Sequence, residues 1–190
     1  MKTNMLLLLL LLISSQLFGQ EEKSEVFPFE KGKLFTGLDI SGGGSAYFFK
    51  VKNEAKIGYF VLKGLAVGGG LSGEVHARNN FFNNRSRKYD LELSAFARYY
   101  IPKTKGLFLE FEAGEELAIQ KWADSDVTSK TWSTNLNYSL GYSIMVGKKK
   151  NWSLEPKVTY EQNFSSNYRT YHDVNLSIGF RYFFNRKKKK

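Results

Sequence analysis

An alternating segment that runs through an aromatic residue into a lysine-bearing turn or tail occurs four times in this chain. It is Ile57-Gly58-Tyr59-Phe60-Val61 before Lys63, then Ala97-Arg98-Tyr99-Tyr100-Ile101 before Lys103 and Lys105. It returns as Leu140-Gly141-Tyr142-Ser143-Ile144 before Lys148 to Lys150, and as Ile178-Gly179-Phe180-Arg181-Tyr182 before Arg186 to Lys190. The aromatics at 59, 99, 142 and 180 are 40, 43 and 38 residues apart. A repeat near 40 residues with strand patterning is two strands plus two connections, so four copies predict four hairpins. Eight strands ending on one basic edge make an up-and-down sheet, and such a sheet can close into a barrel.

The predicted strands are 34–42, 50–61, 65–77, 88–101, 107–121, 131–146, 152–164 and 172–184. Their period is two, with one apolar face. The fourth strand separates Leu91, Leu93, Ala95, Ala97, Tyr99 and Ile101 from Asp90, Glu92, Ser94, Phe96, Arg98 and Tyr100. The last sets Val174, Leu176, Ile178, Phe180, Tyr182 and Phe184 against Asn175, Ser177, Gly179, Arg181 and Phe183. Around Glu115-Glu116 the alternation leaves the register open. Connections on the lysine edge are short, at Leu62 to Gly64, Pro102 to Gly106 and Gly147 to Asn151. Those on the other edge are predicted longer: Gly43 to Phe49, Arg78 to Arg87, Trp122 to Lys130 and Ser165 to Tyr171.

Alternation alone does not say which face looks inward. A lipocalin-like soluble barrel would turn its apolar face in around a ligand. Here the polar face is rich in Gly and Ser, which suits a crowded eight-strand interior. Tyr99, Trp152, Tyr182 and Phe184 lie at strand ends, where membrane girdles form. The expected sense is therefore apolar face to lipid.

Residues 1–19 read as a secretory signal peptide: Lys2, an apolar run from Met5 to Ile13, and a polar exit to Gly19. Residues 20–33 are charged, contain Pro28 and read as a periplasmic leader lying outside the sheet. The barrel is expected over 34–184 and a basic tail over 185–190. With Cys 0, disulfides, thiol chemistry and a cysteine-borne lipid anchor are excluded. The net charge of +10 comes with eleven cations in three turns and the tail: Lys63, Lys103, Lys105, Lys148 to Lys150 and Arg186 to Lys190. That edge is placed to meet anionic lipid headgroups rather than nucleic acid, which export removes as a partner.

The chain resembles the outer-membrane beta-barrel domain family, small porin-like proteins of the OmpA and OmpX type, over about residues 33 to 184. The resemblance rests on Ile57-Gly58-Tyr59-Phe60-Val61, on Leu65-Ala66-Val67-Gly68 and on the aromatic-rich strand Val174 to Phe184. It implies a monomeric eight-stranded antiparallel transmembrane barrel in the outer membrane, inserted by the barrel assembly machinery. One departure is that Phe184 is followed by Asn185 to Lys190, where the family ends on an aromatic.

The inward set is expected to hold ten acids: Asp39, Glu54, Glu74, Asp90, Glu92, Glu110, Glu112, Glu116, Glu155 and Glu161. Five cations accompany them: Lys52, Lys56, Arg98, Lys157 and Arg181. Arg98, facing Glu92 or Glu110, and Arg181 are the expected hubs, since a guanidinium can bridge two carboxylates. A paired polar plug would make the protein non-enzymatic, structural, or active through its loops. An acid excess would instead suit a small-solute or cation pore. A third reading uses His76, expected opposite Asp90 and sharing a face with Ser72 and Glu74, in a lipid-modifying enzyme. Four residues of strand separate Ser72 from His76 by about 13 Å, too far for proton transfer. His172-Asp173 has no assigned role, and no phosphate loop, metal spacing or nucleotide motif calls for a cofactor. The loop Arg78 to Arg87, with Phe81, Phe82 and several Asn and Arg, is the best place for an extracellular ligand or protein.

Overall fold

The alternation closes into a barrel. The computed structural model describes residues 29–45, 48–79, 85–122, 128–147, 150–165 and 170–184. The segments read as a signal peptide and, before residue 29, as a leader lie outside the described residues, as do Lys148, Lys149 and residues 185–190. So do residues 80–84 of the loop expected to carry binding. The strands are β1 (Leu34–Ser45), β2 (Phe48–Leu62), β3 (Leu65–Asn79), β4 (Arg85–Tyr100) and β5 (Leu107–Trp122). They continue as β6 (Thr128–Tyr142), β7 (Ile144–Val146), β8 (Trp152–Ser165) and β9 (Thr170–Phe184). Each strand pairs antiparallel with its neighbour, and β9 closes the ring on β1. β6 and β7 are one strand broken at Ser143, so the barrel has eight staves. At the break the Ser143 amide donates to the Gly106 carbonyl at 2.9 Å, outside the strand ladder.

The register fixes the barrel's shape. Leu34 faces Phe184 across the closing seam. Followed the other way through Tyr59, Val67, Ala97, Phe111, Tyr138 and Tyr160, the same row reaches Val174, ten residues away. Ten residues at about 3.3 Å over eight steps of about 4.8 Å tilt the strands by roughly 40°. An eight-strand barrel at that tilt has an interior just wide enough for side chains.

Its faces are the reverse of a soluble barrel's. Leu93 is 70% exposed, Leu176 67% and Ile57 60%, while Arg98 and Arg181 are fully buried. Outward Tyr59, Tyr99, Trp152, Tyr182 and Phe184 gather at the turn-side strand ends, and Tyr89, Trp132 and Phe164 toward the loop side. The lipid-facing sense expected from the Gly- and Ser-rich polar face therefore holds. Glu116 points inward to Asn135, whereas Glu115 points outward, where Thr134 donates to it at 2.8 Å.

The long loops expected opposite the lysine edge are shorter than predicted. The ladder continues through Ser45–Phe48, Asn79–Arg85, Lys121–Thr128 and Phe164–Thr170. Only residues 46–47, 80–84, 123–127 and 166–169 separate the strands there. Backbone pairing, once in register, does not need apolar side chains to propagate, so the hairpins outrun the alternation that marks them. On the lysine edge, Lys103, Lys105 and Lys150 adopt positive φ, a conformation more usual for glycine.

Candidate functional site

The inward residues fill the lumen in tiers. At the turn side, Phe29, Phe35, Phe60, Phe96, Tyr100, Phe108 and Phe183 form a buried aromatic cluster. Glycines opposite make room for its rings. A Cβ on Gly58 would lie 2.4 Å from Phe35, and one on Gly141 2.4 Å from Phe108. Phe29 precedes β1, in the segment read as a leader. Its ring nevertheless turns into the barrel mouth and stacks on Tyr100 at 3.7 Å between centroids. It is held there by the Gly64 amide donating to the Phe29 carbonyl. A lone apolar residue before a strand gave no periodic signal of this role.

Above the rings lies an ion network. Arg98 donates through Nε to Glu110 at 2.6 Å and through Nη1 to Glu155 at 2.7 Å. Its guanidinium also sits 4.2 Å from the Phe108 ring centre, bridging the apolar and charged tiers. Arg181 donates to Asp39 at 2.7 Å and approaches Glu155 at 3.5 Å. Lys56 reaches Glu110 at 2.9 Å, Glu112 at 2.5 Å and Glu54 at 3.2 Å. Lys157 joins Asp39 at 3.0 Å to Glu110 at 3.3 Å. Ser143 and Ser153 donate to the remaining oxygen of Glu155. The two arginine hubs are thus where the sequence places them. Glu92, one expected partner of Arg98, belongs instead to Lys52 at 2.6 Å, because it lies further up β4 toward the loops.

Two cations of the upper lumen were missing from the expected set. Lys88 reaches Asp90 at 2.7 Å and Glu116 at 3.4 Å, and Lys50 pairs with Asp173 and approaches Glu74. Both stand at the starts of predicted strands, where parity is easily overlooked. Asp173 thereby acquires a lumen partner, while His172 faces outward and hydrogen-bonds Tyr160 at 2.8 Å.

His76 pairs across the ladder with Lys88, not Asp90, since the hairpin is two residues out of the assumed symmetry. Its Nε2 still lies 2.8 Å from Asp90 and 3.0 Å from Glu74. Ser72 is on the same face, but its hydroxyl donates to Glu92 at 3.3 Å. The serine and histidine are drawn into separate carboxylate contacts, an arrangement of charge pairing rather than of nucleophile and base.

No family model matches the chain, and no curated protein matches it. Solved structures do. The crystal structure of Ail, the attachment invasion locus protein of Yersinia pestis, superposes with a TM-score of 0.54 at 14% identity, covering 81% of this chain and 99% of Ail. Ail in a phospholipid bilayer nanodisc gives 0.53 at 11% identity, over 81% of this chain and 100% of that one. The fold is that of an eight-stranded transmembrane β-barrel. The crystal structure of Neisserial surface protein A aligns at 0.49 and 14% identity, over 80% of this chain and 96% of that one.

Proposed function

We propose that this barrel is a non-enzymatic outer-membrane protein, a structural element that meets its partners through the loop-side hairpins. The observation that carries the reading is the filled lumen. Phe29 on Tyr100 and the buried Arg98–Glu110–Glu155 contacts occupy the bore at two successive levels. What remains for interaction is the surface beyond the lipid belt, where connecting segments carry binding on rigid scaffolds. The attachment named for Ail is an activity of this kind. On the turn side, exposed Lys63, Lys103 and Lys105 suit the anionic headgroups of the periplasmic leaflet.

The absence of native cysteine makes the test clean. Asn83→Cys and Lys103→Cys are labelled on intact cells with a membrane-impermeant maleimide. The proposal expects Asn83→Cys alone to react; labelling only at Lys103→Cys would reverse the orientation and refute the loop-side assignment. Planar-bilayer recording of refolded protein covers the pore alternative. No stepwise conductance is expected, and regular cation-selective steps would favour the pore.

A further inference from the structure

One cavity inside the lumen is lined by acceptors that the protein itself leaves unmatched. It measures about 40 Å³ and lies between the ion network and the loop-side mouth. Asp39, Glu54, Glu112 and Glu161 line it together with Asn137, Ser177, Lys52 and Lys157. Four of these side chains carry a buried oxygen with no hydrogen-bond partner in the protein: Asp39 Oδ1, Glu112 Oε1, Asn137 Oδ1 and Ser177 Oγ. Asp39, Glu112 and Asn137 are no more than 4% exposed. A buried polar atom left unmatched destabilises a fold, so four around one cavity point to something that binds there.

Charge says what kind of species. The linked set holds seven carboxylates, Asp39, Glu54, Glu92, Glu110, Glu112, Glu155 and Glu161. Against them stand five cations, Lys52, Lys56, Arg98, Lys157 and Arg181. Water alone would satisfy the oxygens and leave the charge, and a proton shared between Glu54 and Glu112 would answer only one of the two; a cation with water answers both. Among the described residues no three His, Asp or Glu side chains converge as a metal-chelating set, which disfavours a dehydrated divalent ion. The volume holds about three waters, enough for a small ion with part of its shell. We propose that this cavity binds a partly hydrated monovalent cation, held by Glu112, Asn137, Ser177 and Asp39.

The test uses the refolded full chain in phospholipid vesicles, unfolded by urea in rubidium chloride or in choline chloride at equal ionic strength and pH 7. At ten times its dissociation constant, rubidium should lower the unfolding equilibrium constant about elevenfold relative to choline. Asn137→Leu, which fills the cavity without changing charge, should abolish that difference. Equal stability of the wild type in the two salts overturns the proposal, as does a rubidium effect that persists in Asn137→Leu. If Asn137→Leu does not fold, anomalous scattering from rubidium-grown crystals of the wild type decides. A peak inside the cavity supports the site, and its absence overturns it.

Discussion

Arg98 is fully buried between two acids and an aromatic ring, which makes Arg98→Ala the most informative single change. It leaves the linked network one cation poorer. Glu110 keeps Lys56 at 2.9 Å and Lys157 at 3.3 Å. Glu155 keeps Arg181 at 3.5 Å, with Ser143, Ser153 and the Tyr100 hydroxyl at 3.4 Å. Removing one partner of a buried pair costs about 3–5 kcal/mol, and the surviving partners place the charge cost near the lower figure. Loss of the guanidinium from the Phe108 face adds about 1–2 kcal/mol. The expected deficit is about 4–5 kcal/mol at pH 7, read from urea unfolding in lipid vesicles. The deficit has a pH sign. The stranded carboxylate destabilises the fold while ionised, and protonation removes its charge, so the mutant should gain on wild type as pH falls toward 4. Arg98→Lys, which keeps the charge but not the two-carboxylate fork, should lie between. A mutant as stable as wild type at pH 7, or a deficit that widens toward pH 4, would refute this reasoning.

Leu93→Arg should cost about 2–4 kcal/mol in vesicles, because Leu93 is among the most exposed residues on the lipid side. Ser94→Ala, one residue on and inward, should cost far less, and equal effects would count against the membrane orientation. Gly141→Val should destabilise by about 1–3 kcal/mol or more, since its added carbons meet the Phe108 ring, and Phe108→Leu in the same chain should recover part of the loss. Phe29→Ala should cost about 3–5 kcal/mol by unpacking the aromatic mouth; an unchanged midpoint would show that the leader contact is incidental.

Much of this structure is legible in residue parity. Because strand side chains alternate, Arg98, Arg181, Glu110 and Glu155 can each be assigned inward from their neighbours alone. Their partnerships are less accessible. Asp39 meets Lys157 and Arg98 meets Glu155 because the ring closes with a ten-residue stagger, which no local pattern encodes. Strand ends are the weak point for the same reason. Lys50 and Lys88 are the first residues of two predicted strands, and they carry the inward parity of β2 and β4 with only a polar loop before them to read it from. Phe29 is harder still: it stands outside any strand, and only the assembled mouth of the barrel gives it a place to go.

The central claim is a barrel turned inside out, with lipid on its apolar face and a filled polar lumen. A nitroxide scan of β4 tests it most directly, using single cysteines at positions 91 to 97 in vesicle-embedded protein. Collision with oxygen, which partitions into hydrocarbon, should be high at Leu91, Leu93, Ala95 and Ala97 and low at Glu92, Ser94 and Phe96. Alternation of the opposite phase, or none at all, would contradict the account.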